Sequence, residues 1–325
     1  MSKKVFEEIE VSEIPYPIKR DDFFGNQEVL KQIESSLLSS SLSQTMIISG
    51  PPSVGKTSLA YIISSALQCE KGNPFACGEC LNCRKIKKGI FPDLRYISLL
   101  EDDSGKIKTQ ITIDQVREEI IRASELPPYE GKKLIFIVEP SDSLNVSSQN
   151  ALLKLLEEPP SYIQIILIAK ETSKLLPTVR SRCPEIKLKE ISQNEMFEVA
   201  KRIGLKGDLS TAVSASRGRA GVLISDKWKD YIKLKIAIEN LLQSGREIKY
   251  FDENVANIEI LMSYDQILVL DETLFLIKDA IRSRNLTESE ERSLLRKYER
   301  TIKSMEMIVR NVNASLIYNY IFLGE

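Results

Sequence analysis

Gly50-Pro51-Pro52-Ser53-Val54-Gly55-Lys56-Thr57 meets the phosphate-binding-loop pattern GxxxxGK, closed by Ser or Thr, at every required position. The apolar run Met46-Ile47-Ile48 precedes it, and Ser58-Leu59-Ala60-Tyr61-Ile62-Ile63 follows with helical character. This is the strand, loop and helix that the motif requires, which makes a chance glycine-rich turn a poor explanation. Glycines let the backbone aim its N–H groups at phosphate oxygens, and the start of the following helix adds a favourable dipole. In such a loop Lys56 reaches the outer phosphates and the Thr57 hydroxyl takes one position on Mg²⁺. The expected nucleotide-binding set is therefore Gly50, Pro51, Pro52, Ser53, Val54, Gly55, Lys56, Thr57 and Ser58.

The bulk numbers narrow the field. A chain of 325 residues exceeds one ordinary hydrophobic core, so two or three domains are expected. Charged residues at 28 % and hydrophobic residues at 42 % make a soluble globular composition. No apolar run approaches membrane-spanning length, and the start, with Lys3, Lys4, Glu7, Glu8 and Glu10, lacks the apolar core of a signal peptide. A cytoplasmic protein without a membrane partner is expected. The net charge of −1 gives no global attraction to nucleic acid, so any DNA contact is local or shared with partners. The chain has no histidine, which excludes His-based triads, His general bases and His-ligated metals.

Ile-rich apolar segments recur at 46–49, 94–98, 134–138 and 163–169, with a shorter one at 185–188. Continuous β-branched runs of this kind fit parallel strands covered on both faces, so an α/β layer is expected as far as Leu188. Beyond it the pattern is helical. Ser192 with Glu195 forms a capping-box signature before Met196, Val199 and Ala200, and another helix runs from Leu209 to near Gly218. From Trp228 the stripes lengthen: Leu234, Ile238, Leu241 and Leu242, then Ile267, Leu270, Leu274, Ile277 and Ile281. Thr287 and Glu290 cap a final predicted helix carrying Leu294, Tyr298, Ile302, Met305, Val309, Val312 and Leu316. These stripes read as the core of a helical bundle.

Cys69, Cys77, Cys80 and Cys83 stand x7, x2 and x2 apart, four of the five cysteines in the chain. Two CxxC steps suit a closed tetrahedral Zn²⁺ site of a structural kind, with no open position for catalytic water. An iron–sulfur cluster or free buried thiols are the alternatives. A P-loop ATPase also needs acids at the end of a second strand. The strand 134–138 ends in Glu139-Pro140-Ser141-Asp142, where a hydrolysing enzyme normally shows Asp-Glu. Glu139 is placed to join Thr57 at Mg²⁺, although it is one methylene longer than Asp. Pro140 supplies no acid to polarise water.

Asn150-Ala151-Leu152-Leu153-Lys154-Leu155-Leu156-Glu157-Glu158-Pro159-Pro160 resembles the NALLK-LEEPP signature of the bacterial DNA polymerase III clamp-loader family, whose subunits include gamma/tau and delta prime. Leu176-Pro177-Thr178-Val179-Arg180-Ser181-Arg182-Cys183 is similar to the family's Ser-Arg-Cys motif, and the cysteine insertion after the phosphate loop is similar too. Phe24-Gly25-Asn26-Gln27 with Val29-Leu30 resembles the family's Val-Gly-Gln start near the adenine pocket. The resemblance covers residues 24–188 by motif, and the rest by pattern only. It implies an AAA+ fold: an α/β P-loop domain over 1–188, a parallel sheet flanked by helices with a zinc module at 69–83. A helical lid over 189–227 and an all-α collar over 228–325 would follow. It further implies ATP with Mg²⁺ as ligands, and a hetero-pentamer with gamma/tau and delta subunits. That pentamer loads a sliding clamp onto primer–template DNA. Arg182 would then act in trans at a neighbour's nucleotide site.

Within that family two departures favour the delta-prime stator over the gamma/tau motor. Pro140 stands in place of the catalytic acid, so ATP turnover by this chain should be weak or absent. Gly218-Arg219-Ala220-Gly221 stands where motors resemble Gly-Ser-x-Arg, which puts Gly221 at the sensing arginine. Lys170-Glu171-Thr172 is also unusual after the fourth strand. The intact phosphate loop points the other way. A gamma/tau-type motor with a divergent acid, a stand-alone P-loop ATPase or kinase, and a scaffold with a vestigial site are the rival readings.

Overall fold

A computed structural model describes residues 16–324 apart from 18, 73, 103–104, 226, 244–250, 265, 284–285 and 310–311, with the backbone alone at 251–254, 267, 283 and 309. The charged start at Lys3 to Glu10 and the side chains of Ile267 and Val309 lie outside the described residues. The chain divides into two compact units, residues 1–224 and 225–325.

The first unit is built on five parallel strands: β1 (Thr45–Ser49), β2 (Leu94–Ile97), β3 (Leu134–Val138), β4 (Ile163–Ala169) and β5 (Glu185–Lys187). They lie in the order β2-β3-β4-β1-β5, so β1 sits inside the sheet between β4 and β5. Each strand coincides with one of the apolar segments to within a residue or two. Parallel strands buried on both faces give the unbroken runs that mark β1, β3 and β4, every residue of which is buried.

Alternate residues of the inner strands feed two separate cores. Met46, Ile48, Ile135, Ile137, Ile166 and Ile168 face one side, packed on α1 (Gln27–Leu38) and α2 (Lys56–Gln68) through Leu30, Ile33, Leu59, Ile62 and Ile63. Ile47, Phe136, Val138, Ile165 and Leu167 face the other, against the helical stretch 113–124 and the later helix Val146–Glu157 through Val116, Ile120, Leu152 and Leu156. The first core also contains Cys69, Phe75, Cys80, Cys83, Ile86 and Phe91. The cysteine segment, with its short helix α3 (Leu81–Lys87), is thus part of the domain's core and not peripheral to the sheet as its position in an insertion suggests.

With Val146–Glu157 as α4, the helices after β5 in this unit are α5 (Gln193–Arg202), α6 (Leu209–Ser216) and α7 (Ala220–Ile224), and a single turn, Pro177–Arg180, precedes β5. Ser192 and Glu195 form the expected capping box, each satisfying the other's backbone N–H at the start of α5.

The second unit is all-helical: α8 (Trp228–Gln243), α9 (Phe251–Met262), α10 (Gln266–Ser283), α11 (Glu288–Val309) and α12 (Ala314–Phe322). Leu234, Ile238 and Leu241 are buried as their spacing predicts, and Thr287 and Glu290 cap α11 reciprocally. The last predicted helix is two, with Asn313 capping α12 through a bond from the Ser315 N–H. The buried face of α11 also differs from the predicted stripe. Lys297, Thr301 and Ser304 point inward, while Ile302 and Met305 are exposed.

Lys297 explains part of this rotation. Its Nζ donates to the carbonyl oxygens of Leu241 and Leu242 at 3.0 Å each, satisfying acceptors in the last turn of α8. Burial lowers its pKa to about 8, and Arg300 adds to the effect. Below pH 8 folded and unfolded chains both hold this proton, and stability is flat. Between there and the usual 10.5 the unfolded chain still holds a proton that the folded chain has lost, so stability rises with pH. The full rise is roughly 3 kcal/mol. Thermal unfolding of the full chain from pH 7.5 to 10 should show the second unit gaining stability relative to Lys297→Met, which lacks the titrating group. Parallel pH profiles in the two proteins would remove this assignment.

Candidate functional site

The phosphate loop leaves the C-terminal end of β1 and enters α2 at Lys56, with Gly55 as the N-cap in the left-handed region (φ 97°). A Cβ at Gly55 would lie 2.8 Å from the Phe23 ring, so the loop and the segment before α1 fit together only with glycine there. Lys56 is 9 % exposed, and its Nζ donates to the carbonyls of Gly50 at 2.8 Å and Pro51 at 2.7 Å. The lysine therefore bridges the two ends of the loop it is meant to serve. Burial lowers its pKa, opposed by the carboxylates of Glu139 and Asp142 and reinforced by Lys170.

Thr57 Oγ1 donates to Glu139 Oε2 at 2.7 Å, which joins the hydroxyl and the carboxylate expected at Mg²⁺ despite the 82 residues between them. A hydroxyl and an acid in contact beside a phosphate loop form an oxygen donor set that suits Mg²⁺. The longer glutamate reaches because β3 delivers it one residue beyond Val138. The Tyr96 hydroxyl, on β2, donates to the same Oε2 at 2.8 Å. Burial and the Glu139 charge raise the pKa of that phenol. Two residues after Pro140, Asp142 Oδ1 is buried without a hydrogen-bond partner among the described residues, as is the Ser141 hydroxyl. Neither Tyr96 nor Asp142 belongs to the expected set. Asp142 stands in the quoted run after β3. Tyr96 had no signal beyond an aromatic near the end of a strand, because the pairing of β2 with β3 is a tertiary fact.

The α7 region reaches the loop directly. The Gly221 N–H donates to the Ser53 carbonyl at 2.9 Å, and a Cβ at 221 would come within 2.8 Å of that oxygen. A side chain at the sensing position has no room in this arrangement. Arg219 turns the other way, its Nε donating to the Ser216 carbonyl at 3.4 Å. Beside α5, a cleft of about 580 Å³ opens between Phe23, Phe24, Gly25 and Gln27 on one side and Glu198, Val199 and Arg202 on the other. The Arg202 guanidinium lies 5.2 Å from the Phe24 ring centroid. Asn26 ties this segment to the chain after β5 by a two-way amide pair with Lys189 at 3.0 and 3.1 Å.

Arg182 lies apart from the loop, before β5. Its Nε donates to Glu157 Oε1 at 2.8 Å, Nη2 meets the same oxygen, and Nη1 donates to the Thr178 carbonyl at 2.8 Å. About a third of the side chain is exposed. In the chain by itself the arginine thus makes the local ion pair.

The four cysteine sulfurs all lie within 4.8 Å of one another and could hold a metal ion. Cys77 and Cys83 are 4.0 Å apart, close to the roughly 3.8 Å that a tetrahedral Zn–S₄ centre implies. Backbone N–H groups aim at the sulfurs: Glu79 and Cys80 at Cys77, Cys77 at Cys69, and Cys83 at Cys80. Such donors favour thiolates. Cys183, the fifth cysteine, lies outside the cluster, and burial raises its pKa to about 11.

Among the described residues no helix is long and apolar enough to cross a membrane. The model of the family described as DNA polymerase III, delta subunit, matches residues 25–192. The gamma subunit of DNA polymerase III from Buchnera aphidicola subsp. Schizaphis graminum is 32 % identical over 56 % of this chain and 48 % of its own length. The delta-prime subunit from Pseudomonas aeruginosa is 36 % identical over 42 % of this chain and 40 % of its own length. The chain thus spans about half the length, or less, of these relatives. A solved DNA polymerase III gamma-subunit-related protein from Thermotoga maritima shares the fold, with a TM-score of 0.51 and 16 % identity over 90 % of this chain and 97 % of that one. The matched region runs from the Phe24 segment through the phosphate loop, the cysteine cluster and Arg182, and takes in more than half of the residues. The chain belongs to the DNA polymerase III delta-subunit family of clamp-loader proteins.

Proposed function

We propose that this chain is a delta-prime-like stator of the clamp loader, which binds a nucleotide with Mg²⁺, turns it over slowly or not at all, and lends Arg182 to a neighbouring motor. Its partners on this reading are gamma/tau and delta subunits in a hetero-pentamer, and through that complex the sliding clamp and primer–template DNA. The α/β domain over 1–188 would carry the site, 189–227 would act as lid, and 228–325 as the oligomerising collar. The base would lie toward the cleft beside Phe24, and Cys69, Cys77, Cys80 and Cys83 would hold structural Zn²⁺.

One observation carries the reading. Thr57 is hydrogen-bonded to Glu139, the pair proposed for Mg²⁺, whereas Pro140 stands where the water-polarising acid is expected. When bound, Mg²⁺ neutralises phosphate charge. Lys56 and the loop amides would orient the phosphates, and Thr57 and Glu139 would hold the metal. No side chain at position 140 takes a proton from water.

Steady-state hydrolysis by the purified chain tests this. Binding of Mg–ATP with turnover far below about 10 per second, the ordinary enzyme median, is expected. Pro140→Glu should raise turnover if the rest of the site is competent. Turnover near that median in the unaltered chain would sink the stator reading. It would favour the gamma/tau-type motor, for which the unpartnered Asp142 carboxylate oxygen is the specific support. In that case Asp142→Asn, not a change at Pro140, should abolish hydrolysis.

A further inference from the structure

Thr57, Glu139, Tyr96 and Tyr61 are linked in series by two hydrogen bonds and a ring stack at the end of the sheet. Thr57 and Tyr61 lie one helical turn apart on α2 and share a face. The Tyr61 ring stacks on Tyr96, centroids 6.4 Å apart and planes 18° from parallel. Tyr96 then donates to Glu139, and Glu139 accepts from Thr57. Tyr16 also stacks on Tyr61, with centroids 5.3 Å apart and planes 14° from parallel. The aromatic rings have few rotamers, so the Tyr96 hydroxyl is a fixed donor.

Resting on the nucleotide reading above, we propose that Tyr96 is a positioning residue for Mg²⁺: it pins the Glu139 carboxylate at the metal side of the phosphate loop. Glutamate has one more rotatable bond than the aspartate normally found at this place, and an unrestrained carboxylate would have to be ordered each time the metal binds. The hydrogen bond from Tyr96 orders it beforehand, with Oε2 already shared between Thr57 and the phenol. Among the described residues Oε1 accepts no hydrogen bond, which leaves that oxygen for the ion or its water. Tyr96 touches neither phosphate nor metal. Its effect passes through Glu139.

The test is Mg²⁺ titration of nucleotide binding, using a non-hydrolysable ATP analogue and the full chain. Tyr96→Phe keeps the stacked ring and removes only the hydroxyl. It should raise the Mg²⁺ concentration for half-maximal binding by about tenfold, the scale of one hydrogen bond to a charged group. Analogue binding without metal and the thermal midpoint should stay at the wild-type values. Glu139→Asp shortens the acid out of reach of Tyr96, so adding Tyr96→Phe to that variant should change nothing further. An unchanged Mg²⁺ requirement in Tyr96→Phe overturns the inference. So does a uniform loss of stability and metal-free binding, which would mark Tyr96 as structural. Failure of the wild-type chain to bind the analogue at any Mg²⁺ concentration would instead remove the nucleotide reading, and this inference with it.

Discussion

On the proposed trans role, Arg182→Ala is expected to lower hydrolysis at one neighbouring site by roughly 10³–10⁵-fold, while the isolated chain keeps its fold and its own nucleotide affinity. Charge gathers on the phosphate oxygens during phosphoryl transfer, and a guanidinium already in place stabilises it with little reorganisation. The loss summed over an assembled pentamer would be smaller, because other interfaces keep their own arginines. The ion pair with Glu157 sets the competing expectation. A partly exposed pair of this kind contributes about 0–1 kcal/mol, so its removal should move the melting temperature only slightly. If Arg182 serves only that pair, Glu157→Gln and Arg182→Ala should destabilise the chain equally and leave the complex active. If it acts in trans, Glu157→Gln should keep DNA-stimulated ATPase activity in the reconstituted complex and Arg182→Ala should not. Full ATPase activity in the Arg182→Ala complex would remove the proposed role.

The parts of this molecule that were legible in its sequence are those fixed by local chemistry. β1, β3 and β4 stood out because burial on both faces demands unbroken apolar runs, and the Gly50–Thr57 loop because its turn needs glycine and a phosphate ligand calls for Lys and Thr. Thr57 and Glu139 were both expected at Mg²⁺; that they bond each other directly is a finding of the structure. What could not be read depends on which elements meet. Tyr96 reaches Glu139 only because β2 lies beside β3, and nothing in the run Leu94-Arg95-Tyr96-Ile97 announces that neighbour. Gly221 looked like the loss of an arginine; its contact with Ser53 depends on how α7 packs against the phosphate loop. On α11 hydrophobic periodicity misled outright. Lys297 displaced the apolar stripe because the last carbonyls of α8 needed a donor, and a cation on a long apolar stem meets that need while staying buried. The cysteine segment misled differently. Its spacing named four cysteines whose sulfurs do gather within 4.8 Å of one another, but nothing in the spacing announced that Phe75 and Phe91 lock the segment into the core.

Because the cysteine segment is part of the core, Cys80→Ser, or chelation of the wild-type chain, is expected to destabilise the first unit by several kcal/mol. Thiolate–zinc bonding contributes folding free energy wherever the site does not exist in the unfolded chain. Here Cys69, Cys80 and Cys83 are buried in the same cluster as Ile48, Leu59, Ile62 and Ile63, so the segment cannot open without exposing the helix that begins at Lys56. Deprived of metal, the sulfurs would repel as thiolates or lose their donor geometry as thiols. The opposite face of the sheet, around Phe136, Leu152 and Leu167, shares none of these residues. Hydrogen exchange should therefore report lost protection along α2 and α3 first, with α4 and its side of the sheet protected longer. Nucleotide binding should weaken in parallel, since Lys56 and Thr57 open that same α2. Elemental analysis should find one zinc per chain. Zinc-free protein of full stability would overturn the assignment, and so would bound iron with visible absorbance. Exchange confined to the cysteine segment after metal removal would show that the core contacts of Phe75 and Phe91 hold without the ion.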